Sequence, residues 1–165
     1  MRDVFVIVAL VSMLCMLGAC QGEPGASRPK HCAWAPESPT PTERWNPVTQ
    51  GRAHSFLSHH GGFDVSELSE IEGCALPIFM SSMIVIRFRA AGDPSLASWT
   101  GTPTPARAQR ELGWLREHLF GLGLPSAVTP LGLEQREHSG NVDELSLYRY
   151  DDEGPTYLFV FNHAG

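Results

Sequence analysis

A single lysine stands among the twelve Lys and Arg residues of this 165-residue chain, and eighteen Asp and Glu residues outnumber them, leaving a net charge of −6. That balance excludes the basic patch that phosphate binding requires, so nucleic acid is not an expected partner. It also excludes electrostatic adhesion to anionic lipid as a route to a membrane. The use of arginine in place of lysine reads as genomic base composition rather than chemistry. Catalytic signatures are missing as well: there is no Gly-x-Ser-x-Gly elbow, His-Glu-x-x-His pair, phosphate loop or dinucleotide fingerprint. Carboxylates are scattered, and because their separation decides the chemistry, scatter alone identifies no acid/base pair. Neither an enzyme nor a cofactor is therefore expected. There is no internal repeat.

Long hydrophobic runs are also lacking, and the longest one is informative because it is short. Residues 4–18 are apolar except for Ser12. As a helix they would span about 22 Å, short of a hydrocarbon core of about 30 Å. That length suits the h-region of a secretory leader. Small residues come next at Gly18 and Ala19, then Cys20. The sequence Leu17-Gly18-Ala19-Cys20 resembles the lipobox of bacterial lipoprotein precursors. The resemblance covers only the leader, and no family is recognised for residues 21–165. It implies diacylglycerol on the Cys20 thiol, cleavage just before Cys20, and a lipid-anchored protein of the cell envelope. Gln21, unlike an Asp in that place, resembles the pattern of outer-membrane lipoproteins facing the periplasm. Arg2 and Asp3 cancel where such leaders usually carry positive charge. Two other readings fit the same run: an ordinary signal peptide cut after Ala19, leaving Cys20 as a free thiol, and an uncleaved anchor.

Cysteine is scarce, with four in all. On the lipoprotein reading Cys15 leaves with the leader and Cys20 takes lipid. Cys32 and Cys74 then remain in an oxidising compartment, where they are expected to pair. A catalytic thiolate at Cys74 with a histidine base has no local signature. Proline, in contrast, is concentrated: Pro24, Pro29, Pro36, Pro39, Pro41 and Pro47 fall in one stretch. The expected division is a leader over 1–19, a lipid-anchored Pro-rich tether over 20–50 and a folded domain over 51–165. Cys32, Trp34 and Trp45 interrupt the tether, which suggests that the segment around Cys32 docks on the domain.

Residues 51–62 are ambiguous, with His54, His59 and His60 close together. Residues 63–73 predict a helix, with Asp64 and Glu67 as a capping box, Phe63 and Leu68 as a staple, Val65, Leu68 and Ile71 as a stripe and Gly73 as the stop. Residues 75–90 predict a strand in which Ile84, Ile86, Phe88 and Ala90 face one way and Met83, Val85, Arg87 and Arg89 the other. Thr104 and Pro105 open a second helix whose stripe is Ala108, Leu112, Leu115 and Leu119. Three strands close the chain, over 131–136, 145–150 and 156–162, the last two joined by the turn 151–155. The expected fold is α+β: an antiparallel sheet of about four strands with two helices on one face.

The best metal candidates are His54, His59 and His60, with Asp64 nearby, although their spacing matches no zinc motif. Asp151, Asp152 and Glu153, with Asn141, Asp143 and Glu144, offer oxygen ligands without EF-hand spacing. Arg87 and Arg89 share a strand face suited to an anion or to carboxylates on a neighbouring strand. Trp114 lies off its helix's stripe, either under a loop or as a partner-binding anchor. The functional expectation is a lipid-anchored envelope protein that binds or inhibits another envelope or exported protein. A metal-handling protein using the three histidines is the rival, and a hydrolase with a dispersed site the remoter one.

Overall fold

The computed structural model describes residues 32–35, 44–78, 81–138 and 140–164. The leader, the Leu17-Gly18-Ala19-Cys20 box and most of the Pro-rich stretch lie outside the described residues.

The last strand organises the sheet. In β6 (Pro155–Ala164), Tyr157, Phe159 and Phe161 turn to one side while Leu158 and Val160 turn to the other, and all five are buried. A run apolar on both faces is stable only in the interior of a covered sheet. β6 accordingly pairs with β3 (Ser81–Ala90) on one flank and β5 (Asn141–Asp151) on the other. β2 (Leu68–Ile78) and the short β1 (Asn46–Val48) extend the sheet beyond β3, and β4 (Thr129–His138) extends it beyond β5. The order is β1-β2-β3-β6-β5-β4 and every pairing is antiparallel. The α+β class holds, with six strands rather than about four.

The two additional strands come from stretches read differently in the sequence. β1 lies inside the Pro-rich stretch and pairs Pro47 with Cys74. The first half of β2 replaces the helix expected over 63–73. Asp64 does cap, accepting from the Ser66 N–H at 3.0 Å and the Ser66 hydroxyl at 2.6 Å, but the helix is a single 3-10 turn, Val65–Glu67. The stripe that imitated a helix has another cause. The β2–β3 register shifts between Ser69 and Glu72, and Glu70 takes φ 50°. A bulge of this kind puts residues three apart on the same face. Leu68 and Ile71 therefore both pack on one cluster, while Cys74 and Leu76 pack on the other.

The two helices cover opposite faces of the sheet, not one face. α1 (Gln50–Phe56) begins at Thr49, whose hydroxyl accepts from the Arg52 N–H at 3.4 Å, and continues as a π turn, Leu57–Gly61. Gly62 ends it at φ 73°, a conformation that glycine adopts without steric cost. Ala53 and Leu57 pack with Phe63 against Ile84, Ile86, Phe88, Leu145 and Phe159. α2 (Pro105–His118) has the expected cap, with the Thr104 hydroxyl accepting from the Arg107 N–H at 3.4 Å. Its Ala108, Leu112 and Leu115, together with Leu119 and Leu122 beyond its end, pack against Val85, Tyr148, Leu158 and Val160. Alternation along β3, with Ile84 and Ile86 one way and Val85 the other, is what separates the two layers. Among the described residues, no helix is long and apolar enough to cross a membrane.

A strap closes the α2 layer. Cys32 is disulfide-bonded to Cys74, with Cα atoms 5.7 Å apart. Residues 32–35 turn back on themselves, the Ala35 N–H reaching the Cys32 carbonyl at 3.1 Å, and Trp34 is buried. The Arg87 guanidinium lies 5.1 Å from the Trp34 ring centroid and pairs with Glu72 at 2.7 Å. The Gly121 N–H donates to the Trp34 carbonyl at 3.0 Å. A side chain at position 121 would sit 2.8 Å from the Ala33 carbonyl oxygen, so only glycine permits this approach.

Candidate functional site

The N-terminal half of α2 and the ends of β3, β5 and β6 enclose a surface cleft of about 420 Å³, lined by Met83, Arg107, Arg110, Glu111, Trp114 and Asn162 together with Glu144. Helical spacing explains the grouping. Positions 110 and 111 each lie three or four residues from both 107 and 114, so the four share a face beside the buried stripe. Met83 and Asn162 are register partners on β3 and β6, which places their side chains together at the floor.

The groups of the cleft divide into those with partners and those without. Arg107 pairs with Glu144 at 2.8 Å, and Glu144 also accepts from the Gln135 amide at 2.6 Å. The Tyr148 hydroxyl donates to Glu111 from beneath. Burial pushes the Glu111 carboxyl above the ordinary carboxylate range, against the opposing pull of the Tyr148 and Ser146 hydrogen bonds and the Arg107 charge. Burial, reinforced by the neighbouring Glu111, raises the Tyr148 phenol as well. In contrast, the Arg110 guanidinium, the Trp114 indole N–H and the Asn162 amide have no partner among the described residues. Trp114 is half-buried and packed between two rings: it stacks on His118 at 4.1 Å and 14°, and lies 6.1 Å from the Trp45 ring. A packed aromatic face, a thioether and a guanidinium together suit a ligand with an apolar group beside an anionic one.

The other sequence candidates are dispersed. His54 sits on α1 with a buried Nε2 lacking a hydrogen-bond partner, His59 is exposed on the π turn, and His60 is half-buried between Phe56 at 4.8 Å and Phe161 at 4.7 Å. Among the described residues, no three His, Cys, Asp or Glu side chains are grouped so as to hold a metal ion. Of the acidic groups considered for calcium, Asp143 pairs with His163 at 2.6 Å and Glu144 with Arg107 at 2.8 Å, while Arg89 donates to the backbone carbonyls of Asp152 and Glu153. Arg87 and Arg89 do share a face and meet Glu72 and Glu70 of β2 at 2.7 and 2.9 Å. Cys74 is in the disulfide and so is not a thiolate.

Two sequence candidates thus line the cleft, Trp114 and Glu144, the latter as the partner of Arg107. Arg107, Arg110 and Glu111 were not singled out in the sequence, although helical spacing places them on the face of Trp114, and Met83 and Asn162 are brought to it by strand register, which no local pattern shows. Comparison with known protein families, curated proteins and solved structures finds no match.

Proposed function

We propose that this chain is a lipid-anchored protein of a bacterial cell envelope, held through Cys20 on the periplasmic side of the outer membrane, and that it acts by binding rather than catalysis. The α2 cleft is the binding surface, and its ligand is a segment of an envelope or exported protein that presents a carboxylate next to an apolar side chain. The observation that carries the reading is the unpartnered Arg110 guanidinium beside the packed face of Trp114. A charged group left without an intramolecular partner beside an aromatic anchor matches the composition of interface hot spots. The Cys32–Cys74 bond suits an oxidising compartment, and the Leu17-Gly18-Ala19-Cys20 box supplies the address.

Two measurements test it. Mass spectrometry of the mature N-terminus should find an acylated Cys20 directly before Gln21, and retention of Met1 or an unmodified Cys20 defeats the anchor. Capture from envelope extracts, with a photo-crosslinker at position 106, exposed and one turn before Arg110, should give a discrete partner band. The Arg110→Glu, Trp114→Ala double variant should lose that band while keeping its melting temperature within a few degrees. An undiminished band in the double variant moves the site elsewhere.

A further inference from the structure

We propose that the loop leaving α2, residues 119–131, is the side of the domain that rests on the lipid surface, so that the protein is held at the membrane by two contacts rather than one. This rests on the lipid-anchor reading. In a chain of which 18% is charged, residues 119–133 carry no Asp, Glu, Lys, Arg or His at all. Much of that stretch is at the surface: Gly121, Gly123, Ser126, Ala127 and Thr129 are exposed. Within it Phe120 is 67% exposed, the large hydrophobic side chain left open among the described residues.

The position of this loop supplies the occupant. Gly121 is hydrogen-bonded to Trp34 of the strap, so Phe120 projects beside the point at which the chain from Cys20 enters the domain. Twelve peptide steps separate Cys20 from Cys32, a reach of at most about 43 Å when fully extended. A tether of that length keeps the domain at high effective concentration next to the bilayer, where a weak apolar contact is enough to orient it. Acyl anchors characteristically need such a second contact. Other surfaces are unsuited to lipid. The 3-10 turn and the first half of β2 carry Glu67, Glu70 and Glu72, and the β5–β6 turn carries Asp151, Asp152 and Glu153, groups that are costly to strip of water. The loop's own residues are uncharged, its tip is aromatic and the exposed Arg116 guanidinium sits on its Pro125 carbonyl at 2.6 Å, a set suited to a zwitterionic headgroup layer. The cleft begins at Trp114, about 6 Å up the helix from its C-terminal end, and runs away from the loop through Arg110 to Arg107, so it stays open to a ligand while the loop is seated.

The test uses the full-length lipidated protein in phosphatidylcholine vesicles with brominated acyl chains. Phe120→Trp and Ala127→Trp report from the loop, and Ser58→Trp reports from the opposite, α1 face. All three positions are exposed, so the fold should tolerate the indole. The added emission at 120 and 127 should move to shorter wavelength and be largely lost in brominated vesicles, while that at 58 is retained. Equal, unquenched emission at all three positions, on protein whose intact mass includes acyl chains, overturns the seating but leaves the anchor standing. An intact mass without acyl chains overturns the anchor and the seating with it. A shift at 120 that depends on protein concentration and resists bromine assigns the face to a second copy of the chain and overturns the proposal.

Discussion

Replacing Cys32 and Cys74 together by alanine removes the bond that closes a loop across 42 positions of sequence. The chain-entropy cost of leaving such a loop open in the unfolded state is about 4 kcal/mol at 25 °C. Against a typical domain stability of about 5–15 kcal/mol that is a large share. For a domain of this length it corresponds to a melting temperature lower by about 10–20 °C. The strap keeps two weaker ties in the variant, the Gly121–Trp34 hydrogen bond and the Arg87 contact on the Trp34 ring. The strap should therefore loosen before the sheet melts, and Trp34, now 5% exposed, should become solvated first. Urea unfolding of the variant and of the oxidised wild type, monitored by tryptophan emission and by far-UV circular dichroism, gives both quantities. Coincident transitions in the wild type should separate in the variant, with the emission change at lower urea. An unchanged midpoint would refute the reasoning, because it would mean that the strap adds nothing that the six-stranded sheet does not already hold.

The same packing sets two further outcomes. Gly121→Ala places a methyl group 2.8 Å from the Ala33 oxygen and 2.9 Å from the Trp34 Cα, and overpacking of this kind costs about 1–3 kcal/mol. The cost should shrink in the Cys32→Ala, Cys74→Ala background, where the strap can yield; additive losses in a double-mutant cycle argue that the strap and the loop are independent. Glu111→Gln keeps an acceptor for Tyr148 but cannot ionise. Because burial raises the Glu111 pKa in the folded state, the folded chain retains a proton that the unfolded chain loses as pH rises. That contribution to stability is complete below the unfolded carboxyl pKa and is lost as pH climbs through the folded value. The variant should accordingly gain on the wild type between acid and neutral pH in thermal melts, and a variant that loses ground to the wild type over that range refutes the assignment.

How much of this protein was written in local sequence can be seen element by element. α2 was legible because Thr104, Pro105 and the Ala108–Leu112–Leu115 spacing specify cap, first turn and buried face without reference to anything else. β6 was legible because five consecutive apolar residues demand an interior position. The pairing of Cys32 with Cys74 came from counting thiols, once the leader resemblance had accounted for the others. In each case the information lies within one segment or in a count.

Tertiary structure decided the rest, and the reason is long-range pairing. Residues 63–73 carry a sound capping box and a helical stripe, yet β3 offers a full ladder of backbone hydrogen bonds along its outer edge. That ladder outweighs the local preference, and a bulge at Glu70 reconciles the spacing. α1 was obscured for the opposite reason, since Ala53 and Leu57 are too few buried residues to form a pattern. The placement of the helices on opposite faces depends on which side of β3 each meets, a property of the assembled sheet. The cleft depends on it too: helical spacing alone puts Arg110 and Trp114 on a shared face, but only the register of β3 on β6 sets Met83 and Asn162 across from them.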